Sequence, residues 1–195
     1  MKTLYFASEN RGKTIEMQSL LSGIVHVRDL KDSSLPVTWE ETGARFRDNA
    51  LIKARAAAAV LKADVFADDS GLCVNVLDGV PGIYSARWAG NDEANNRKLL
   101  AELSKVPEHE RGAKFVCSLV YINEKNEEFF FDGQLTGHIA EKPRGSGGFG
   151  YDCLFIPDGF DKTLAELSLE EKNRISHRFR AVRKLRDFLK ETLLK

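Results

Sequence analysis

The sequence contains no apolar run of roughly 18 residues or more, the length a membrane-spanning helix requires. It also has no charged and apolar leader, because Met1 runs directly into a short strand-like stretch. Neither a membrane span nor a signal peptide is therefore expected. Cysteine is scarce: Cys73, Cys117 and Cys153 are odd in number, widely separated and set among apolar residues. That pattern argues against a disulfide frame or a zinc site and for buried thiols in a reducing cytoplasm. An excess of charge of either sign is missing as well. Lysine plus arginine and aspartate plus glutamate stand at 29 each, so nothing in the net charge attracts nucleic acid or an acidic membrane. There are no internal repeats, heptads or long linkers, and residues 1–195 read as a single domain able to bury its own core.

What is present is a mixture of strand and helix signals, the mark of an α/β protein. Residues 3–7 predict a buried strand, followed by a polar turn and a helix with Ile15, Leu20, Leu21 and Ile24 on one face. Over residues 43–62, Phe46, Ala50, Ala54, Ala57 and Leu61 recur at helical spacing. "DVFADDSGLCVNVL" reads as a short apolar strand, an acidic turn and an alternating run through Leu72, Val74 and Val76. After a turn at Pro81 and Gly82, Asp92 opens a helix that reaches Leu103, and residues 114–123 and 127–136 form a hairpin around "EKN". Cys153 to Ile156 predicts a further strand, and Phe179, Val182, Leu185 and Leu189 mark a terminal helix.

Five stretches carry chemistry. In "FASENRGKTIE", Gly12, Lys13 and Thr14 match the tail of a P-loop, but Ala7 stands where its leading glycine belongs. A strand, polar turn and helix N-terminus still favours an anion; the plainer reading is a capped helix. In "ADDSG" (67–71), a carboxylate at a strand end can hold magnesium together with substrate phosphates, against the plainer reading of an acidic turn closed by Gly71. In "WEETG" (39–43), Glu40 or Glu41 could complete that metal site or merely serve a helix start. Gly145, Gly147, Gly148 and Gly150 surround Phe149, an aromatic that can stack on a base. Lys172, His177 and Arg178 in "EKNRISHR" offer donors to purine oxygens or phosphate, or form a solvated basic face. Nine lysines and arginines lie between Lys172 and Lys195, yet no aromatic interleaving supports nucleic-acid binding.

Taken together, Ser8, Asn10, Lys13 and Glu16 of S-x-N-x-x-K-x-x-E, E-E-T-G with "FRDNALIKA" (40–54), A-D-D-S-G-L (67–72), "GVPGIYSAR" (79–87), "GGFGYD" (147–152) and "KNRISHR" (172–178) resemble the inosine triphosphate pyrophosphatase family. The resemblance implies a mixed, twisted central sheet flanked by helices, in an elongated two-lobed domain with the active-site cleft between the lobes. It implies Mg2+-dependent hydrolysis of non-standard purine nucleoside triphosphates (ITP, dITP, XTP) to monophosphate and pyrophosphate, which cleanses the nucleotide pool, by a homodimer in the cytoplasm. By the same match, Ser8, Glu9, Asn10, Arg11, Gly12 and Lys13 form the triphosphate-binding turn, and Lys53, Ser70 and Arg87 line the phosphate path. Glu40 and Asp69 hold the metal. Asp69 is also the base, with Lys13 its catalytic partner, although adjacent strand residues face opposite ways and the residues alone leave Asp68 open. Phe149, Gly150, Tyr151 and Asp152 sandwich the purine, and Lys172, Ser176, His177 and Arg178 read its edge. Cys153 departs from the proline common there in the family. The rivals are a P-loop-like kinase or ATPase, a nucleotide sensor without catalysis and, third, a nucleic-acid-binding module.

Overall fold

A computed structural model of the chain describes residues 1–33 and 35–193, so Lys195, the last of the basic residues counted above, lies outside the described residues. Six strands, β1 (Lys2–Phe6), β2 (Val25–Asp29), β3 (Val65–Val74), β4 (Gly112–Ile122), β5 (Glu128–Ile139) and β6 (Phe155–Pro157), form one sheet in the order β2-β1-β3-β4-β5-β6. β1 pairs in parallel with β2 and β3, whereas β5 and β6 are antiparallel, so the sheet is mixed, as expected. The helices are α1 (Arg11–Leu21), α2 (Phe46–Leu61), α3 (Asp92–Glu102), α4 (Leu169–Ile175) and α5 (His177–Leu193). No helix among the described residues is long and apolar enough to cross a membrane. All three cysteines are free thiols.

The chain divides into two compact units. The first comprises Met1–Asp69, Cys117–Gly133 and the chain from Arg178 onward. Its strands bury both faces, and their alternation assigns each residue a side. Leu4, Phe6, Phe66, Cys117, Leu119 and Tyr121 share a core with Met17 and Leu21 of α1 and with Val182, Leu185 and Leu189 of α5. Ala7, Val65, Ala67, Val120 and Ile122 pack instead with Ala50, Ala54, Ala57 and Ala58 of α2, where small side chains let helix and sheet approach closely.

The second unit comprises Ser70–Val116 and Gln134–His177. Its core gathers Leu72, Val74, Leu99, Leu103, Phe115, Leu135, Ile139, Tyr151, Leu154 and Phe155. Just past α3 the buried Arg111 donates from Nη2 to the carbonyl of the C-cap Leu103 (3.0 Å) and from Nε to that of Val106 (2.8 Å), tying the helix end to the turn that follows.

Several boundaries differ from expectation. The aspartates of "ADDSG" lie inside β3, not in a turn, because the strand continues unbroken to Val74. Val76 sits exposed in the short 3-10 turn that follows. α2 begins at Phe46, three residues later than the alanine pattern suggested; a Cβ on Gly43 would come within 2.6 Å of Asn49 and Asp48, so the chain is still folding back onto the helix there. On α1, Ile15 is exposed, and Thr14, Glu16 and Met17 are buried in its place. The strand expected over Cys153 to Ile156 starts only at Phe155.

Candidate functional site

Asn10 opens α1 as its N-cap, its Oδ1 accepting the Lys13 N–H (3.1 Å), while the Asn10 N–H donates to Ser8 Oγ (3.2 Å). This tight polar turn directs Lys13 at β3, where its Nζ lies 3.1 Å from Asp68 Oδ2. Asp68 is fully buried and shares Oδ2 with Arg178, whose Nε stands 3.6 Å away. Arg178 is itself buried and pairs through Nη1 with Glu16 Oε2 on α1. Burial works against the guanidinium's charge, but the Glu16 and Asp68 carboxylates outweigh it and raise the Arg178 pKa. Four alternating charges, Glu16, Arg178, Asp68 and Lys13, thus line the α1 and α5 side of β3, the side that Phe66 faces.

Asp69 points the other way, with Val65 and Ala67, toward α2. Its Oδ2 accepts from Asn49 Nδ2 (3.2 Å), and its Oδ1 lies 3.8 Å from Lys53 Nζ. Asn49 and Lys53 are four residues apart on the buried face of α2, so one helix turn presents both to the carboxylate. Lys53 donates more closely to Glu41 Oε1, at 2.7 Å. Burial pushes the Asp69 carboxyl above its ordinary range; Lys53 and Lys13 pull it back in part, while the charges of Glu41 and Asp68 add to the rise. Burial opposes the Lys53 charge too, yet three carboxylates, Asp69, Asp68 and Glu41, hold its pKa above the usual value. The result is a carboxylate with raised proton affinity beside an ammonium that its carboxylate neighbours favour in the charged form.

In the second unit a group forms around the glycine loop. Asp152 Oδ2 accepts from Lys172 Nζ (2.6 Å) and from the Phe149 N–H (3.0 Å). Lys172 Nζ also stands 4.9 Å from the centre of the Phe149 ring. Gly148, at φ +72°, permits this closure, because a Cβ there would lie 2.0 Å from Asp152 Oδ2. Tyr151 is buried, its hydroxyl donating to the Ser85 carbonyl (2.9 Å).

A model of the Ham1 family matches residues 4–188, nearly the whole chain. The chain belongs to the Ham1 family. Among relatives, the dITP/XTP pyrophosphatase of Halalkalibacterium halodurans is 43% identical over 193 residues, covering 97% of this chain and 100% of that protein. The enzyme of the same name from Geobacter sulfurreducens is 46% identical over 193 residues, covering 97% of each. The structure of the Staphylococcus aureus Ham1 protein superposes with a TM-score of 0.87 at 42% identity, covering 98% of this chain and 100% of the other.

In this Ham1 chain, each residue expected at the site has a definite local setting. Ser8, Asn10 and Lys13 do share one turn; Glu9 and Arg11 beside it are exposed, and Gly12 lies in the first turn of α1. Glu40 is exposed, and it is Glu41 that reaches Lys53. Ser70 is partly buried on β3, and Arg87 is exposed, its guanidinium 5.4 Å from the Tyr84 ring centre. Lys172, Ser176, His177 and Arg178 are all buried, so a solvated basic face is ruled out for them. Lys172 joins Phe149 and Asp152, Ser176 caps α4, His177 stacks on Phe115 (4.8 Å between centroids, 12° between planes) and Arg178 joins Glu16 and Asp68. Sequence reasoning named Glu41 and Glu16 without their partners Lys53 and Arg178, and it missed Asn49. Asn49 carried a usable signal, a polar residue one turn before Lys53 on an otherwise alanine-rich face.

Proposed function

We propose that this chain hydrolyses the deaminated purine nucleoside triphosphates ITP, dITP and XTP between the α and β phosphates, releasing the monophosphate and pyrophosphate. The observation that carries the reading is Asp69: a buried carboxylate with raised proton affinity, hydrogen-bonded by Asn49 and flanked by Lys53. Such a group is suited to general-base work near neutral pH. Asp69 takes a proton from water, the water oxygen bonds to the α-phosphorus, and the bond to the bridging oxygen breaks, its electron pair leaving with pyrophosphate. Lys13 and Lys53 offset the charge that builds on the phosphate oxygens, the dominant demand in phosphoryl transfer. The relatives' shared name, dITP/XTP pyrophosphatase, supports the same substrates.

Magnesium belongs to this reading, and the donor set fits it. The described residues hold no group of three or more His, Cys, Asp or Glu side chains able to cage a metal. Magnesium needs none, since it takes one or two carboxylates and completes its shell with substrate oxygens and water. Asp69 and Glu41, both drawn to Lys53 Nζ, are the carboxylates placed to serve, with Glu41 taking the part first given to Glu40. When bound, the ion would neutralise phosphate charge and acidify a coordinated water.

For the purine, Phe149 offers a stacking face and Lys172 a donor that suits a 6-oxygen and disfavours the 6-amino group of adenine. A homodimer in the cytoplasm completes the proposal, and the three free thiols agree with a reducing compartment.

The test is product analysis with magnesium and ITP, ATP or GTP. Pyrophosphate released fast from ITP and slowly from ATP and GTP is the expected result. Inorganic phosphate from ATP would overturn it and restore the P-loop reading of "GKT".

A further inference from the structure

α3 is a polar helix: "DEANNRKLLAE" has only Asn95 and Leu99 as buried residues. A helix so polar needs a reason, and its first two turns supply one. Asn91 caps it, Oδ1 accepting the Ala94 N–H (2.9 Å), and the next residues on the same face reach away from the helix to two loops. Asp92 Oδ2 accepts from the Gly150 N–H at 2.7 Å, and Asn96 Nδ2 donates to the Gly150 carbonyl at 2.9 Å. Both polar atoms of one glycine peptide position are thus held by residues four apart on one helix face. Between them Asn95, almost fully buried, accepts from the Ala89 N–H (2.6 Å) and donates to the carbonyls of Ser85 (3.2 Å) and Ala86 (3.3 Å). Ser85 O also accepts the Tyr151 hydroxyl, which closes the circuit between the two loops. Leu99 in the core and Arg111 at the C-terminal carbonyls fix the helix that carries these groups.

We propose that Asp92 and Asn96, with Asn95 between them, are positioning residues that preset the Phe149–Asp152 loop and the segment leading to Arg87 for the purine nucleotide. The inference rests on the reading of Phe149 as the base-stacking residue. Gly150 has φ +62°, a conformation with several alternatives open to glycine, so the loop needs external hydrogen bonds to hold Phe149 in one place. Preorganisation of this kind acts on binding more than on the chemical step, because the loop's ordering then no longer has to be met by the ligand.

The experiment compares wild type, Asp92→Ala, Asn96→Ala, the double variant and Asp92→Asn in steady-state pyrophosphate release from ITP and ATP with magnesium, alongside Tm. In the double variant KM for ITP is expected to rise about tenfold, as loss of both hydrogen bonds to Gly150 implies. Its kcat is expected to stay within about twofold, the signature of lost binding rather than lost chemistry. Asp92→Asn keeps an oxygen that can accept the Gly150 N–H, so it should retain the wild-type KM although its charge at the helix start is gone. Unchanged KM in the double variant overturns the proposal, as does a fall in kcat that merely follows Tm, or an Asp92→Asn variant as impaired as Asp92→Ala. Wild-type protein that releases no pyrophosphate from ITP would instead overturn the functional reading, and this one with it.

Discussion

Asp68 and Asp69 are neighbours in one strand with the same side chain, and they live in opposite electrostatic worlds. Asp68, on the α1 and α5 side, is wholly buried and committed to Lys13 and Arg178, with Glu16 balancing the arginine from behind. Asp69, on the α2 side, has a neutral amide at 3.2 Å and its lysine only at 3.8 Å, and that lysine sits closer to Glu41. One carboxylate is tied into a buried ion-pair chain and serves structure. Burial raises the other's affinity for a proton, and Lys53 and Lys13 offset that only in part. The lesson is that a pair of acids in a motif is not a pair in function; the strand's two-residue period hands each to a different set of partners.

The comparison breaks most visibly in activity. Asp69→Asn is expected to lower kcat by about two to four orders of magnitude, the range attributed to a general base, with the fold intact by circular dichroism. Loss of less than tenfold would assign the base elsewhere. Next in size is the structural side of the strand. Glu16→Ala leaves the buried Arg178 without its closest carboxylate and should cost about 3–5 kcal/mol in urea denaturation, as broken buried pairs do.

A third prediction sharpens the contrast through pH. Because burial raises the Asp69 pKa from its ordinary 3.8, the folded chain binds that proton more tightly than the unfolded one. The stability it contributes is complete below the ordinary carboxylate value and is lost as pH rises through the raised value. In metal-free buffer Asp69→Asn, which cannot ionise, should therefore have a Tm above wild type at neutral pH, and the gap should close on acidification to about pH 4. A Tm below wild type at neutral pH would mean that the partners of Asp69 outweigh its burial. The smallest effect belongs to a pair with no part in either face: Arg45→Ala, which breaks an exposed pair with Asp48 (2.9 Å), should leave Tm unchanged by calorimetry.

How much of this was legible in the sequence depends on the distance between partners along the chain. The helix over residues 46–61 and the terminal helix were readable, because apolar spacing is a local property. Ile15 misled for the same reason: α1 lies against strands on one side only, and the face it buries includes the polar Thr14 and Glu16, which a pattern of apolar residues passes over. Asp69 could be singled out, but its partner Asn49 is 20 residues earlier, and Glu16 and Arg178 are 162 apart. No spacing rule reports such contacts.

By itself, then, the sequence determined the class, the succession of strands and helices and the family, since each rests on local periodicity or on the order of short motifs. Only the tertiary structure decided that Glu41 rather than Glu40 reaches Lys53, that Arg178 pairs with Glu16, and that α3 holds the loop of Phe149. Those are matters of which side chains converge in space, and a charge takes its pKa and its work from neighbours that folding alone brings within reach.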